Sequence, residues 1–93
     1  NGFHEKAEEL IAAIGKAFLS QNAIELRARA HEFKGMAANF GFIEVQRLCT
    51  AIENAAKENN LDAAKEATDY LGERYSIARQ SLNSWIQTQN QAK

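Results

Sequence analysis

Apolar residues recur at helical spacing in two segments of the first half of the chain. In the first segment, about residues 5–19, they form one stripe along a helix: Ala7, Leu10, Ile11, Ile14 and Phe18. In the second, about residues 23–39, they alternate between spacings of four and three residues: Leu26, Ala30, Phe33, Ala37 and Phe40. This alternation is typical of the face that a helix turns toward the core of a bundle.

The second half of the chain shows two further stripes. The third segment, about residues 43–58, carries Val45, Leu48, Cys49, Ile52 and Ala56. The fourth, about residues 61–88, is predicted to be one continuous helix with its stripe at spacings of four and three: Ala64, Thr68, Leu71, Tyr75, Ala78, Leu82 and Trp85. Four large side chains are expected in the core: Phe33, Phe40, Leu71 and Trp85.

Short polar connections separate the segments. Asn22 and Asn60 stand before the second and fourth segments, where an Asn side chain can cap a helix by accepting a hydrogen bond from a free backbone N–H. Because short connections place neighbouring helices antiparallel, the stripes predict an all-α fold, an antiparallel up-down-up-down four-helix bundle. With 93 residues and no Pro, the chain is expected to form a single domain over residues 1–93.

Composition argues against several classes of partner. The formal net charge is -1, which does not favour binding to nucleic acid or to anionic lipid. No apolar run approaches the roughly 20 residues that span a bilayer, so no membrane contact is expected. Cys49 is the only cysteine, so an internal disulfide is excluded and a reducing compartment such as the cytoplasm is favoured. Cys49 is expected to be a small core residue rather than a nucleophile.

His31 is the residue best suited to take part in a chemical reaction. It lies roughly 100° around the helix from Ala30, so it points away from the core stripe and toward water. Lys34 and Gly35, three and four positions later, share its face. A neutral imidazole offers a nucleophilic nitrogen, a nearby cation would offset an anionic product, and a glycine leaves room for a partner. His4, near the start of the first helix, is expected to have no role.

Glu53 on the third helix is the candidate for orienting the imidazole. A carboxylate that accepts a hydrogen bond from one ring nitrogen would leave the other free to react. The alternative is that Glu53 forms an ion pair with Lys57, four residues further along the same helix. The sequence leaves both interpretations open.

The residues around His31 resemble the signature of histidine phosphotransfer (HPt) domains. The similarity lies in Ala30–Gly35, which reads AHEFKG, and in Ala37–Gly41, which reads AANFG. Further on, Ile52–Ala56 resembles the family's next helix, and Asn60–Ala64 resembles its turn into the last helix. With the four helices in register, the similarity covers about residues 5–88.

The resemblance implies a phosphocarrier rather than an enzyme. Such domains accept a phosphoryl group from an aspartyl phosphate of a receiver domain and pass it to an aspartate of another receiver; in one branch of the family a kinase domain is the donor. By match, His31 would be the phosphorylated residue, Lys34 the charge partner of the phosphate and Gly35 the access position. Glu53 matches a glutamate that hydrogen-bonds the histidine in some members.

The resemblance also implies partners and cofactors. The partners would be receiver domains of response regulators, with the domain either free-standing or part of a hybrid sensor kinase. The receiver supplies its own Mg²⁺, so no metal or other cofactor is expected in this domain. Four residues on the His31 face are predicted to contact the receiver: Ile24, Arg27, Ala28 and Ala38. The domain is expected to be a monomer in the cytoplasm, with no kinase or ATP-binding site of its own.

Three other functions are compatible with parts of the sequence. The main alternative is a non-catalytic helical interaction bundle in which His31 is only a surface residue. A second is the dimerisation helix of a sensor kinase, whose box also begins with His-Glu but usually has Pro where this chain has Met36. A third is a metal site, which two histidines so far apart in the chain do not favour.

Overall fold

A computed structural model describes residues 2–91 of the chain and the side chains of residues 2–87. This part of the chain forms four α-helices: α1 (Gly2–Leu19), α2 (Ala23–Asn39), α3 (Ile43–Lys57) and α4 (Lys65–Gln91). A short 3-10 helix, Leu61–Ala64, leads into α4. Consecutive helices pack against each other and α1 also contacts α4, which closes the predicted antiparallel bundle.

The core consists of one buried stripe from each helix. Its members are Ala7, Leu10, Ile14 and Ala17 of α1, Leu26, Ala30, Phe33 and Ala37 of α2, Val45, Cys49, Ile52, Ala55 and Ala56 of α3, and Leu61, Ala64, Ala67, Leu71 and Tyr75 of the last segment, together with Phe42. No polar or charged residue is buried in the described part of the chain. The predicted core face of α2 is therefore confirmed from Leu26 to Ala37.

Two aromatic residues expected in the core lie at the surface. Phe40 is 43 % exposed because α2 ends at Asn39, and Phe42 takes the buried position instead. Trp85 is 61 % exposed. The reason is the difference in helix length. Helix α4 has 27 residues and is about 40 Å long, whereas α3 has 15 residues and is about 22 Å long, so the last turns of α4 extend beyond the end of α3.

The starts of the first and fourth helices also differ from expectation. Helix α1 begins at Gly2 rather than near residue 5, because Phe3 packs against the Phe40 ring with centroids 4.0 Å apart. The fourth segment is not one continuous helix, since a tighter 3-10 turn precedes α4. That turn changes the helical phase, so Ala67 is buried where Thr68 was expected.

The start of α2 is capped as predicted, whereas the cap expected at Asn60 is not formed. The Asn22 side-chain oxygen accepts a hydrogen bond from the backbone N–H of Glu25 at 3.1 Å. Asn60 makes no such side-chain bond at the 3-10 helix. At the other end of α2, Gly41 adopts a positive φ of 68°, which glycine allows without strain and which turns the chain into α3.

Asn22→Ala is expected to lower the free energy of unfolding by about 1 kcal/mol, because the N–H of Glu25 loses its partner. Urea denaturation would measure the change. Asn60→Ala is the matched control, since its side chain makes no capping bond, and it should cost less than about 0.5 kcal/mol. Equal losses in the two variants would show that the Asn22 bond contributes nothing.

None of the helices among residues 2–91 combines the length and the apolar character that crossing a bilayer requires.

Candidate functional site

His31 lies near the middle of α2 and its side chain is 70 % exposed. Its neighbours Ala30 and Phe33 are completely buried, so they hold this part of the helix against the core. The helical repeat then directs His31 outward. A rigid, packed helix thus presents the imidazole to solvent.

One carboxylate, that of Glu53, contacts both His31 and Lys34. The Glu53 Oε2 atom on α3 lies 2.8 Å from Nδ1 of His31, and its Oε1 atom lies 2.7 Å from Nζ of Lys34. The Glu53 side chain is only 16 % exposed, and its two oxygens reach these partners across the contact between α2 and α3. Because an ionised carboxylate can only accept, Nδ1 carries the hydrogen and Nε2 of a neutral imidazole keeps its lone pair free.

An open surface depression adjoins His31. It is lined by His31 and Glu53 together with three of the residues predicted to contact a receiver: Ile24, Arg27 and Ala28. Ile24 is 85 % exposed and contributes apolar surface to the depression. The depression therefore combines apolar surface, a cation and the imidazole.

Gly35 lies on the open side of the same helix. A Cβ atom added there would meet no atom within 4 Å, apart from the backbone of its own helix and its chain neighbours. The bundle therefore does not need glycine at this position for its own packing. The space remains available to a visiting molecule.

Comparison with known proteins identifies the family of the chain. The family model described as Hpt domain matches residues 2–85 of the 93-residue chain. The chain belongs to the Hpt domain family. Hpt domains are phosphotransfer modules of two-component phosphorelays, in which they interact with receiver domains as phosphocarriers rather than kinases. Comparisons with curated proteins and with solved structures gave no significant match.

Electrostatics keep Glu53 of this Hpt domain ionised. Partial burial raises the pKa of its carboxyl, but the contacts and charges of Lys34 and His31 outweigh burial and hold the pKa below its usual value. Beneath it, burial and the Glu53 charge raise the pKa of Cys49 to about 12. The thiol is therefore protonated at neutral pH and does not compete with His31 as a nucleophile.

The lowered pKa of Glu53 predicts a pH dependence of stability. A carboxyl whose pKa is lower in the folded state stabilises the fold above its unfolded pKa and loses this contribution as the pH falls through its folded pKa. We therefore expect the Glu53 contribution to disappear progressively below about pH 4.5. Unfolding free energies measured from pH 7 to pH 3 should fall less steeply in Glu53→Gln than in the wild type.

A matched control for that experiment is Glu44→Gln. Glu44 is an exposed residue near the start of α3 that pairs only with Arg47 among the side chains the structure describes. The substitution therefore removes a carboxyl that lies outside the His31 cluster. Its acid profile should resemble that of the wild type. If Glu53→Gln and the wild type lose stability in parallel, the ion pairs of Glu53 do not stabilise the fold.

The structure places the remaining predicted site residues as follows. Ala38 is exposed on α2 but does not line the depression beside His31. Glu53 contacts His31 and Lys34, and no ion pair joins it to Lys57, so the geometry favours the first of the two interpretations left open. Within residues 2–91, no group of three or more His, Cys, Asp or Glu side chains is arranged to hold a metal ion.

His4, which was expected to have no role, connects α1 to α4. Its Nδ1 atom lies 2.9 Å from the hydroxyl oxygen of Tyr75, and its Nε2 atom lies 2.8 Å from Oε1 of Glu8. The contact with Glu8 follows the i, i+4 spacing and could have been read from the sequence. The contact with Tyr75 joins residues 71 positions apart and could not.

Proposed function

We propose that this Hpt domain carries a phosphoryl group on Nε2 of His31. The group would come from an aspartyl phosphate of one receiver domain and pass to an aspartate of a second receiver. The observation that supports this most strongly is the exposed imidazole whose Nδ1 is held by an ionised, partly buried Glu53. Such an imidazole presents its reactive nitrogen outward without prior rearrangement.

The transfer step follows from this arrangement. The Nε2 lone pair attacks phosphorus, the bond between phosphorus and the aspartyl oxygen breaks, and the aspartate leaves as a carboxylate. The Nδ1 hydrogen stays in its contact with Glu53, whose negative charge stabilises the imidazolium that forms. A Mg²⁺ ion bound by the receiver would supply positive charge to the transferring group. The return step to a second aspartate is the same reaction reversed.

Lys34 and Gly35 assist the transfer in this proposal. Lys34 is one turn from His31 and is held near it by Glu53 at 2.7 Å, so its positive charge is available to the phosphorylated product. Gly35 keeps the approach to the imidazole clear, because its α-carbon faces open space. A receiver could therefore bring its aspartyl phosphate close to Nε2 without moving the helix.

The receiver would dock on the depression around His31. Ile24 and Ala28 offer apolar contact, and Ala38 extends the small-residue surface past Gly35. The positive charge of Arg27 would favour the approach of the acidic phosphorylation pocket of a receiver. In this proposal the domain acts as a monomer in the cytoplasm, free-standing or within a hybrid sensor kinase. It is a carrier that depends on its partners for both the phosphoryl group and the metal.

The proposal is tested by mixing the protein with receiver domains that have been phosphorylated and freed of excess donor. Radiolabel is expected to move from at least one receiver to this protein and to be acid-labile and alkali-stable, as a phosphohistidine is. ATP and Mg²⁺ without a receiver should give no label. Label that resists acid, or label acquired from ATP alone, would contradict the proposal.

A further inference from the structure

We infer that Arg27 binds the phosphoryl group while it resides on His31, an inference that rests on the proposed function. Arg27 is four residues before His31 on α2 and lines the same depression as His31 and Glu53. Side chains four positions apart on a helix are neighbours on one face, so the imidazole and the Arg27 side chain lie on the same side of α2. A group attached to Nε2 is therefore within reach of a long arginine side chain.

The ion pairs of the site leave Arg27 as its uncommitted cation. Lys34 already shares its ammonium with Glu53. Arg29, the other arginine of α2, is engaged by Glu25 at 3.1 Å and by Glu32 at 2.7 Å. No carboxylate among residues 2–87 forms an ion pair with Arg27.

The chemistry of the two groups is complementary. A phosphoryl group on the imidazole presents three acceptor oxygens with negative charge, and a guanidinium presents a planar fork of N–H donors that suits two of them. Binding it would not cost Arg27 an existing ion pair. In contrast, Lys34 would have to share its ammonium between the phosphoryl oxygens and Glu53, which holds the imidazole.

A small-molecule phosphoryl donor distinguishes binding of the phosphoryl group by Arg27 from docking of a receiver on Arg27. Phosphoramidate can phosphorylate the imidazole directly: Nε2 forms a bond to phosphorus, the nitrogen–phosphorus bond of the donor breaks, and ammonia leaves with that electron pair. In this reaction no receiver is present to be recognised by Arg27. An effect of Arg27 on labelling then arises without any contact between Arg27 and a receiver.

The experiment compares Arg27→Gln, Arg27→Lys and the wild type at low ionic strength, where exposed charges are least screened. We expect Arg27→Gln to be labelled about five- to tenfold more slowly, and Arg27→Lys to keep part of the rate because it keeps the charge without the fork. Arg47→Gln is the matched control and should be labelled at the wild-type rate, since Arg47 is an exposed residue on α3 that pairs with Glu44.

A second measurement does not depend on a variant. In the wild-type protein, the side-chain Nε–H resonance of Arg27 should shift when His31 becomes phosphorylated, and that of Arg47 should not. An unmoved Arg27 resonance would overturn the inference. So would an Arg27→Gln variant that phosphoramidate labels at the wild-type rate but a receiver labels slowly, because Arg27 would then contact only the receiver.

The outcomes also separate this inference from the proposed function. If wild-type protein is labelled on His31 and Arg27 has no effect, only the inference is wrong. If neither phosphoramidate nor any receiver labels His31 in the wild type, the proposed function itself is wrong, and with it the inference.

Discussion

His31→Gln is expected to accept no phosphoryl group from a phosphorylated receiver, a loss of more than about a hundredfold that brings labelling to background. The amide of glutamine has no nucleophilic nitrogen, so the bond to phosphorus cannot form. The fold should remain, because the His31 side chain is 70 % exposed and Glu53 keeps its ion pair with Lys34. Receiver-dependent labelling measures the first effect and thermal unfolding followed by circular dichroism the second.

The control for this variant is the same substitution at the other histidine. His4→Gln should be labelled like the wild type, because His4 lies on α1 and contacts Tyr75 and Glu8 rather than the His31 cluster. It should be the less stable of the two variants, by about 1 kcal/mol, since it loses contacts that join α1 to α4. Label that persists in His31→Gln would assign the phosphoryl group to a different residue.

Phe33→Ala is expected to lower the free energy of unfolding by about 3–5 kcal/mol, which is a large part of the stability of a domain this small. Phe33 is completely buried, and its ring lies 5.8 Å from that of Tyr75, so the substitution opens a cavity between α2 and α4. Urea denaturation monitored by circular dichroism would measure the loss. At urea concentrations below the unfolding transition of the variant, His31 should still be phosphorylated, because it lies on the face of α2 opposite Phe33.

Phe40→Ala provides the comparison at the surface. Phe40 is 43 % exposed and packs mainly on Phe3, so its removal should cost about 1–2 kcal/mol. A Phe33→Ala variant no less stable than Phe40→Ala would mean that the bundle closes around the missing ring. That result would contradict the assignment of Phe33 to the centre of the core.

The elements of the site that repeat with the helical period were predictable from local sequence. Ala30 and Phe33 define the core face of α2, and this face determines that His31 points to water. Lys34 and Gly35 follow at offsets that share the histidine's face on any regular helix. The cap at Asn22 was predictable for the same reason, since its hydrogen bond spans only three residues.

The contact between His31 and Glu53 depends on how two helices lie against each other. The two residues are 22 positions apart, and a different rotation of α3 about its axis would have taken Glu53 out of reach of His31. Helical periodicity places a residue on a face of its own helix but does not specify the relative rotation of two helices. This is why the sequence left the role of Glu53 open between two interpretations.

The sequence by itself determined the four helices, the buried stripe of α2 and the outward direction of His31, because each follows from side chains a few positions apart. The tertiary structure decided which carboxylate meets the imidazole, that His4 joins α1 to α4, and that Phe40 and Trp85 stay at the surface. These features depend on where helices end and how their axes are placed. Both are set by packing between distant segments, which local periodicity does not encode.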